Sequence, residues 1–349
     1  MVYIHIPYCI KKCLYCDFFS VCDRKSADEY KRAVIKEIEK CPLKETQTVY
    51  IGGGTPTSIG SRLLDIVYAV KKHFSFLPGY EFTVEANPKT VDISLLEDLR
   101  AAGINRISLG AQSFVEEELS ALGRAHGAND IFEAVRLCRD AGFYNISLDL
   151  MLAIPGQTPE SLDYSLSCIE KTAPKHVSAY SLIVEENTPF YDMELNLPDE
   201  DTERKMYWHT ADRLKKMGLM QYEISNYAAP GYESLHNMRY WQDYEYYGIG
   251  AGAHSYADGY RWQNVCDIQK YIAGSERENV TKISPHERKL ELFMLGLRLT
   301  RGIEYNGEFP ERVQPLIKKG LLENRHGRLR LTRRGTDLAN LVFMEFLDD

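Results

Sequence analysis

No stretch of the 349-residue chain approaches the roughly 18 consecutive apolar residues that a membrane-spanning helix requires. The opening Met1-Val2-Tyr3-Ile4-His5-Ile6-Pro7 has neither the basic leader nor the apolar length of a secretory signal, so a cytoplasmic protein is expected, with a peripheral position at a membrane left open. A Gly-X-Y repeat, a sustained heptad and any low-complexity tract are also missing, which excludes collagen, coiled coil and disorder. Positive charge is not in excess either. The 42 Lys and Arg stand against 50 Asp and Glu, a formal charge of -8, which argues against a surface that binds nucleic acid as a whole. The balance is uneven, because residues 312–334 hold eight basic side chains and one acid, Glu323. With 44% hydrophobic residues, the chain can build one large domain and a smaller one.

The eight cysteines are spread unevenly. Cys9, Cys13 and Cys16 crowd together, and in a reducing compartment crowded thiols indicate a metal site rather than disulfides. Cys138 and Cys168 fall in helical patterns and read as inert buried thiols, whereas Cys22, Cys41 and Cys266 have no interpretable spacing.

Short apolar runs alternate with helical periodicity from the start of the chain. Runs at 2–6, 48–51, 81–85, 106–109, 145–152 and 176–183 are each followed by an amphipathic stretch, at 27–40, 61–74, 93–102, 116–122 with 130–141, 159–172 and 200–217. Six such units predict a parallel sheet with right-handed crossovers; a doubly wound sheet and a closed or partial barrel both fit. In either fold the loops after the strand C-termini build the site. That places the chemistry in residues 7–18, 52–56 and 85–88, at Gln112 and Asp149, and beyond residue 183. Residues 221–275 break the alternation and are rich in Tyr, Trp, Gly and Asn. Helices near 287–299 and 310–320, a strand near 329–332 after the turn at 324–327, and a last helix at 335–347 then predict a small winged-helix-like domain.

Cys9-x3-Cys13-x2-Cys16 follows the first strand directly. Three thiolates bind a four-iron cluster with one iron left open to a small molecule. The alternative is a structural zinc with His5 as fourth ligand. Tyr50-Ile51-Gly52-Gly53-Gly54-Thr55-Pro56 offers backbone without side chains, as a tight turn or a phosphate cradle would. Glu85, Gln112, Arg124 and Asp149 stand where strands should end, and together they supply a guanidinium for a carboxylate and acceptors for hydroxyl and amino groups.

With Tyr15 just before the third cysteine, this segment resembles the radical S-adenosylmethionine (SAM) pattern. The whole chain resembles one branch of that superfamily, the oxygen-independent coproporphyrinogen III oxidases and their relatives. The resemblance implies a partial (β/α)6 TIM-like barrel over residues 1–220, a connecting segment over 221–284 and a winged-helix-like α+β domain over 285–349. It implies that Cys9, Cys13 and Cys16 hold a [4Fe-4S] cluster. The glycine loop with Gly53, Gly54 and Thr55 would receive the SAM amino group, Arg124 its carboxylate, Gln112 and Asp149 the ribose, and Glu85 the polar end. Tyr3, Tyr15 and either Met151 or Ile183 would line the nucleoside pocket.

Two features separate members of the branch. The oxidases carry a further cysteine where this chain has Phe18, and a longer leader before the first strand. Residues 235–241 contain His-Asn-x-x-Tyr-Trp, and with Gly248 to Tyr256 they resemble the HemW-type heme chaperones of the branch. The resemblance implies heme as cargo, His236 as an iron ligand, and heme-receiving respiratory proteins as partners. A neutral imidazole suits that role, and Tyr240 and Trp241 offer flat apolar surface. On the residues alone, His236 and His254 read first as hydrogen-bonded structural histidines, and the resemblance brings heme ligation by His236 level with that reading. The rival functions are a coproporphyrinogen III oxidase and a radical-SAM enzyme with an unrelated substrate. For the basic run, a solvated face or a patch for acidic groups is favoured over nucleic acid.

Overall fold

The computed structural model describes residues 1–275 and 277–347. The first half alternates as expected: β1 (Val2–Ile6), α1 (Ala27–Lys40), β2 (Glu45–Gly53), α2 (Arg62–His73), β3 (Ser75–Ala86), α3 (Ile93–Ala101), β4 (Arg106–Gln112), α4 (Glu116–Ala121), α5 (Ala128–Asp140), β5 (Asn145–Leu152), α6 (Pro159–Thr172), β6 (His176–Ser181) and α7 (Glu200–Lys216). There follow β7 (Met220–Glu223), β8 (Asn226–Ala228), α8 (Leu235–Trp241), β9 (Tyr247–Ile249), β10 (His254–Ala257), β11 (Tyr260–Asn264), α9 (Ile268–Ala273) and β12 (Arg277–Lys282). The last part contains α10 (Pro285–Gly296), β13 (Ile303–Glu304), α11 (Pro310–Lys318), β14 (Leu322–Arg325), β15 (Arg328–Leu331), α12 (Arg333–Asp337) and α13 (Ala339–Met344).

The strands are buried almost end to end, as in β4 and β5, because helices cover one face and the barrel interior the other. Each helix buries one stripe, such as Tyr30, Val34 and Ile38 on α1. Strands β1 to β6 lie parallel in sequence order, β9 runs parallel to β1 at one edge, and β8 and β7 are antiparallel at the other. Among the described residues β7 and β9 do not pair, so the sheet is a partial barrel rather than a closed one.

The segment after residue 220 is more than a connector. It adds β8 and β9 to the edges of the main sheet, forms a three-stranded sheet from β10, β11 and β12, and sends α8 into the barrel. The small C-terminal domain has its own core of Leu290, Phe293, Ile303, Val313, Leu329 and Val342. The β14–β15 hairpin turns at His326 and Gly327, both at positive φ, which matches the right-handed strand twist. The expected last helix is broken at Leu338 into α12 and α13. Asp337, at the break, accepts a hydrogen bond from Trp208 Nε1 at 2.8 Å and pairs with Arg204 at 3.5 Å, tying this domain to α7.

Glu81 fixes α8. Its buried carboxylate accepts from Ser234 Oγ (3.3 Å) and from the backbone N–H groups of Leu235 (3.0 Å) and His236 (3.1 Å), satisfying donors that a helix N-terminus leaves open. Burial works against the charge of Arg106 on β4, and Glu81 leads the groups that restore it. Replacing Glu81 with Ala strands these donors and the Arg106 charge in the interior. A loss of about 3–5 kcal/mol is expected, with faster amide exchange confined first to residues 234–241. Unchanged thermal unfolding would refute the anchoring role.

Candidate functional site

Strand alternation aims one set of side chains into the barrel. Tyr50, Glu85, Ser108, Asp149, Ser178 and Tyr180 line a cavity of about 340 Å³ at the C-terminal ends of the strands. A bulge between Leu109 and Gln112 holds Gln112 at φ 68 and turns it into the same cavity, where its Oε1 accepts from Tyr180 at 3.0 Å.

The cysteine loop closes over this mouth. Backbone bonds from Cys9 N to Val21 O (2.9 Å) and Val21 N to Pro7 O (2.7 Å) pin its base, and Leu14 N to Leu122 O (3.1 Å) pins its crest. Cys9, Cys13 and Cys16 all line the cavity, with Tyr15 and Phe18 beside them. Among the described residues no group of three His, Cys, Asp or Glu side chains converges as a single metal ion requires. His5 is no zinc ligand. Its Nε2 donates to Phe19 O at 2.9 Å, so its Nδ1 accepts from the Tyr3 hydroxyl at 3.0 Å, and burial holds the ring neutral. Separate thiols around one opening suit a cluster that gives each thiolate its own iron.

Arg124 spans the cysteine loop and the cavity wall. Its Nη1 donates to Cys13 Sγ (3.3 Å) and Tyr15 Oη (3.4 Å), its Nη2 donates to Gly110 O (2.5 Å), and its buried Nε has no protein partner. Asn226 Oδ1, also in the lining, is likewise unpartnered. These orphaned polar atoms fit a polar occupant. Glu85 accepts from Tyr50 Oη (2.7 Å) and Gly53 N (3.1 Å), and burial pushes its carboxyl up to about 7. Burial also raises Asp149, which accepts from Ser108 at 3.4 Å.

The glycine loop has reasons of its own. A Cβ at Gly53, which sits at φ 111, would strike the His5 ring at 2.6 Å; one at Gly54 would lie 2.9 Å from Tyr8 O; one at Gly52 would meet Glu85 at 2.9 Å. Gly53, Gly54 and Thr55 reach the cavity, with Thr55 Oγ1 3.6 Å from Cys9 Sγ.

Several expected residues lie elsewhere. Tyr3 is not in the cavity lining, because its hydroxyl is held by His5 and its ring packs on Tyr50 at 6.3 Å. Met151 is buried behind Tyr15 and Tyr180, and Ile183 is 65% exposed. His236, expected on heme iron, is 1% exposed inside the barrel. One nitrogen, Nδ1, bonds Thr48 Oγ1 at 3.0 Å; Nε2 has no protein partner, and the ring lies between Tyr50 and Tyr240. His236 does not line this cavity. Its neighbour Asn237 lines the cavity at the strand ends instead, beside Ser225 and Asn226. Strand alternation from Asp149 and its partner Ser178 would have found Ser178 and Tyr180, but no local signal marks Asn226.

Two family models match the chain, the radical SAM superfamily over residues 3–169 and the HemN C-terminal domain over 283–338. The Heme chaperone HemW of Bacillus subtilis (strain 168) is 38% identical over 376 aligned positions, covering 99% of each chain. The Heme chaperone HemW of Escherichia coli (strain K12) is 33% identical over 340, covering 92% of this chain and 90% of that one. The chain belongs to the HemW family of radical SAM proteins. A solved structure described as "Coproporphyrinogen III oxidase (HemN) from Escherichia coli is a Radical SAM enzyme" superposes with a TM-score of 0.86, covering 99% of this chain and 89% of that one. At 22% identity it shows the shared fold. Membership of the radical SAM superfamily implies a 4Fe-4S cluster and SAM, and the thiols and polar lining described above fit both.

Glu85 gives a test of the cavity's electrostatics. Folding favours its neutral form, so the stability it contributes is whole below its usual 4.5 and is lost as pH rises toward 7. Glu85→Gln should therefore lose less stability than the wild type between mildly acidic and mildly alkaline pH. Parallel unfolding curves for the two proteins across that window would contradict this.

Proposed function

We propose that the protein is a heme chaperone that binds heme and passes it to hemoproteins such as respiratory enzymes. The observation that carries this reading is near full-length relatedness to several proteins named Heme chaperone HemW. Phe18 supports it, since it occupies the cavity rim where the resemblance gives the oxidases a further cysteine. In this reading Cys9, Cys13 and Cys16 hold the cluster, which when bound supplies an electron to SAM. Arg124 takes the SAM carboxylate, Gly53, Gly54, Thr55 and Glu85 its amino end, and Gln112 and Asp149 the ribose, while Tyr15 walls the pocket. His236 is neutral, because burial drives its pKa well down, and its free Nε2 is the form that ligates iron. It reaches heme only when α8 withdraws from Glu81, so docking and ligation are separate events.

The basic run of the small domain is largely engaged within it. Arg328 Nε donates to Arg301 O at 2.8 Å, Arg330 pairs with Glu323 at 2.7 Å, and Arg334 donates to Lys319 O at 3.2 Å. This favours a solvated face over a nucleic-acid surface. No described helix is long and apolar enough to cross a membrane, and the proposed setting is cytoplasmic, with receiving proteins met at the membrane.

Replacing Cys9, Cys13 or Cys16 singly with Ala should remove the cluster's visible charge-transfer absorption and most of the bound iron. Full iron content in all three variants would sink the assignment. An anaerobic hemin titration of the reconstituted protein, followed at the Soret band, should saturate near one heme per chain. Absence of saturable binding, or release of carbon dioxide from coproporphyrinogen under reducing conditions, would overturn the chaperone reading.

A further inference from the structure

A second cavity, larger than the first at about 560 Å³, lies outside the main sheet where α1, β9, α9, β11 and β12 meet. It shares no lining residue with the cofactor cavity. Its volume is in the range that takes a cofactor-sized ligand. Flat rings form part of its wall: Tyr247 on β9, Trp262 on β11 and Tyr271 on α9. Its charges have one available sign. Lys36 and Lys40, both exposed on α1, and Arg277 on β12 border it, with the Arg277 guanidinium stacked 4.3 Å above the Trp262 ring. The lone carboxylate of the lining, Glu37, is already taken up by Gly250 N (2.9 Å), Asn264 Nδ2 (2.8 Å) and the Tyr271 hydroxyl (2.5 Å). On β12, Val280 extends the apolar surface and is 61% exposed.

A flat, apolar ligand with negative groups on one edge fits such a lining. We infer that this cavity is where heme first docks, its porphyrin face against the aromatic wall and its propionates toward Lys36, Lys40 and Arg277. The inference rests on the chaperone reading and gives the cargo a place that does not require α8 to leave the barrel.

The test uses the full-length protein and two surface variants that disturb no packed side chain, the double change Lys36→Glu with Lys40→Glu, and Val280→Glu. Hemin titration should show each variant binding roughly tenfold more weakly than the wild type, or worse. Hemin dimethyl ester, whose propionates carry no charge, should bind the wild type more weakly than hemin does and should lose no further affinity to the lysine reversal. Hemin affinity unchanged in both variants while the wild type saturates would overturn the docking site and leave the chaperone reading standing. A wild type that does not bind hemin saturably would remove both. A fall in affinity for His236→Ala alone, with the cavity variants unaffected, would place first contact at α8 and refute the inference.

Discussion

Gly54 has no room for a side chain because the backbone of Tyr8 and the Sγ of Cys9 lie where a Cβ would stand. Its N–H donates to Ile6 O at 2.9 Å, and the next residue's N–H donates to Tyr8 O at 2.7 Å. This seam locks the loop after β2 onto the loop after β1, and much of the site follows from it. With the base of the cysteine loop fixed at Pro7, Tyr8 and Val21, the chain from Cys9 to Cys16 must arch over the barrel mouth, where it meets Arg124 and the strand ends. The three glycines thus do structural work before any ligand arrives, giving way to Glu85, to His5 and to the cluster loop in turn.

Below the mouth the barrel is filled by polar groups rather than aliphatic ones. Glu81, Arg106, His176 and His236 are all buried, and such groups are tolerated inside a protein only when paired. Most are: His176 bonds Ser147 Oγ at 2.8 Å and Tyr222 Oη at 2.9 Å, and Tyr222 accepts from Ser234 N at 3.2 Å. The exceptions are His236 Nε2 and two nitrogens of Arg106. A barrel interior plugged by aliphatic side chains would be more stable. Here the plug is a short helix held on a carboxylate, and that helix carries Asn237 into the cofactor cavity on one side and His236 into the interior on the other.

The first six strand and helix units were legible because parallel strands bury both faces, while the covering helices bury one stripe. That Cys9, Cys13 and Cys16 meet at one opening was legible because their spacing is local. Glu85, Gln112, Arg124 and Asp149 were placed correctly at the mouth, since each follows or ends a strand. Tyr3 was placed in the pocket by the resemblance alone, and its hydroxyl instead finds His5 two residues on, a pairing that no periodicity announces. The His-Asn pair was harder still. Both residues lie on one turn of α8, and which of them faces the cofactor cavity depends on Glu81, which is 155 residues away from His236 in sequence. The segment after residue 220 lacked a period because its strands are short and it supplies both edges of the main sheet as well as a plug.

The two cavities differ in a way that bears on a protein handling two unlike ligands. The one inside the barrel is lined by hydrogen-bonding groups of both signs, Arg124 together with Glu85 and Asp149, which suits a zwitterion held in one orientation. The one outside offers aromatic wall and cationic rim, with its carboxylate already satisfied, which suits an amphipathic dianion that must later leave. A chaperone gains from that separation: cargo held by apolar contact and exposed lysines is bound without a deep desolvated pair, so a receiving protein with a stronger iron ligand can draw it off. The connection between the cavities runs through β1 and β9, because β9 lines the outer one and pairs with β1, whose C-terminal end leads into the cysteine loop. The base of the cysteine loop and the wall of the outer cavity thus share one strand pair, and the Tyr8, Tyr30 and Tyr271 rings pack in series beside it.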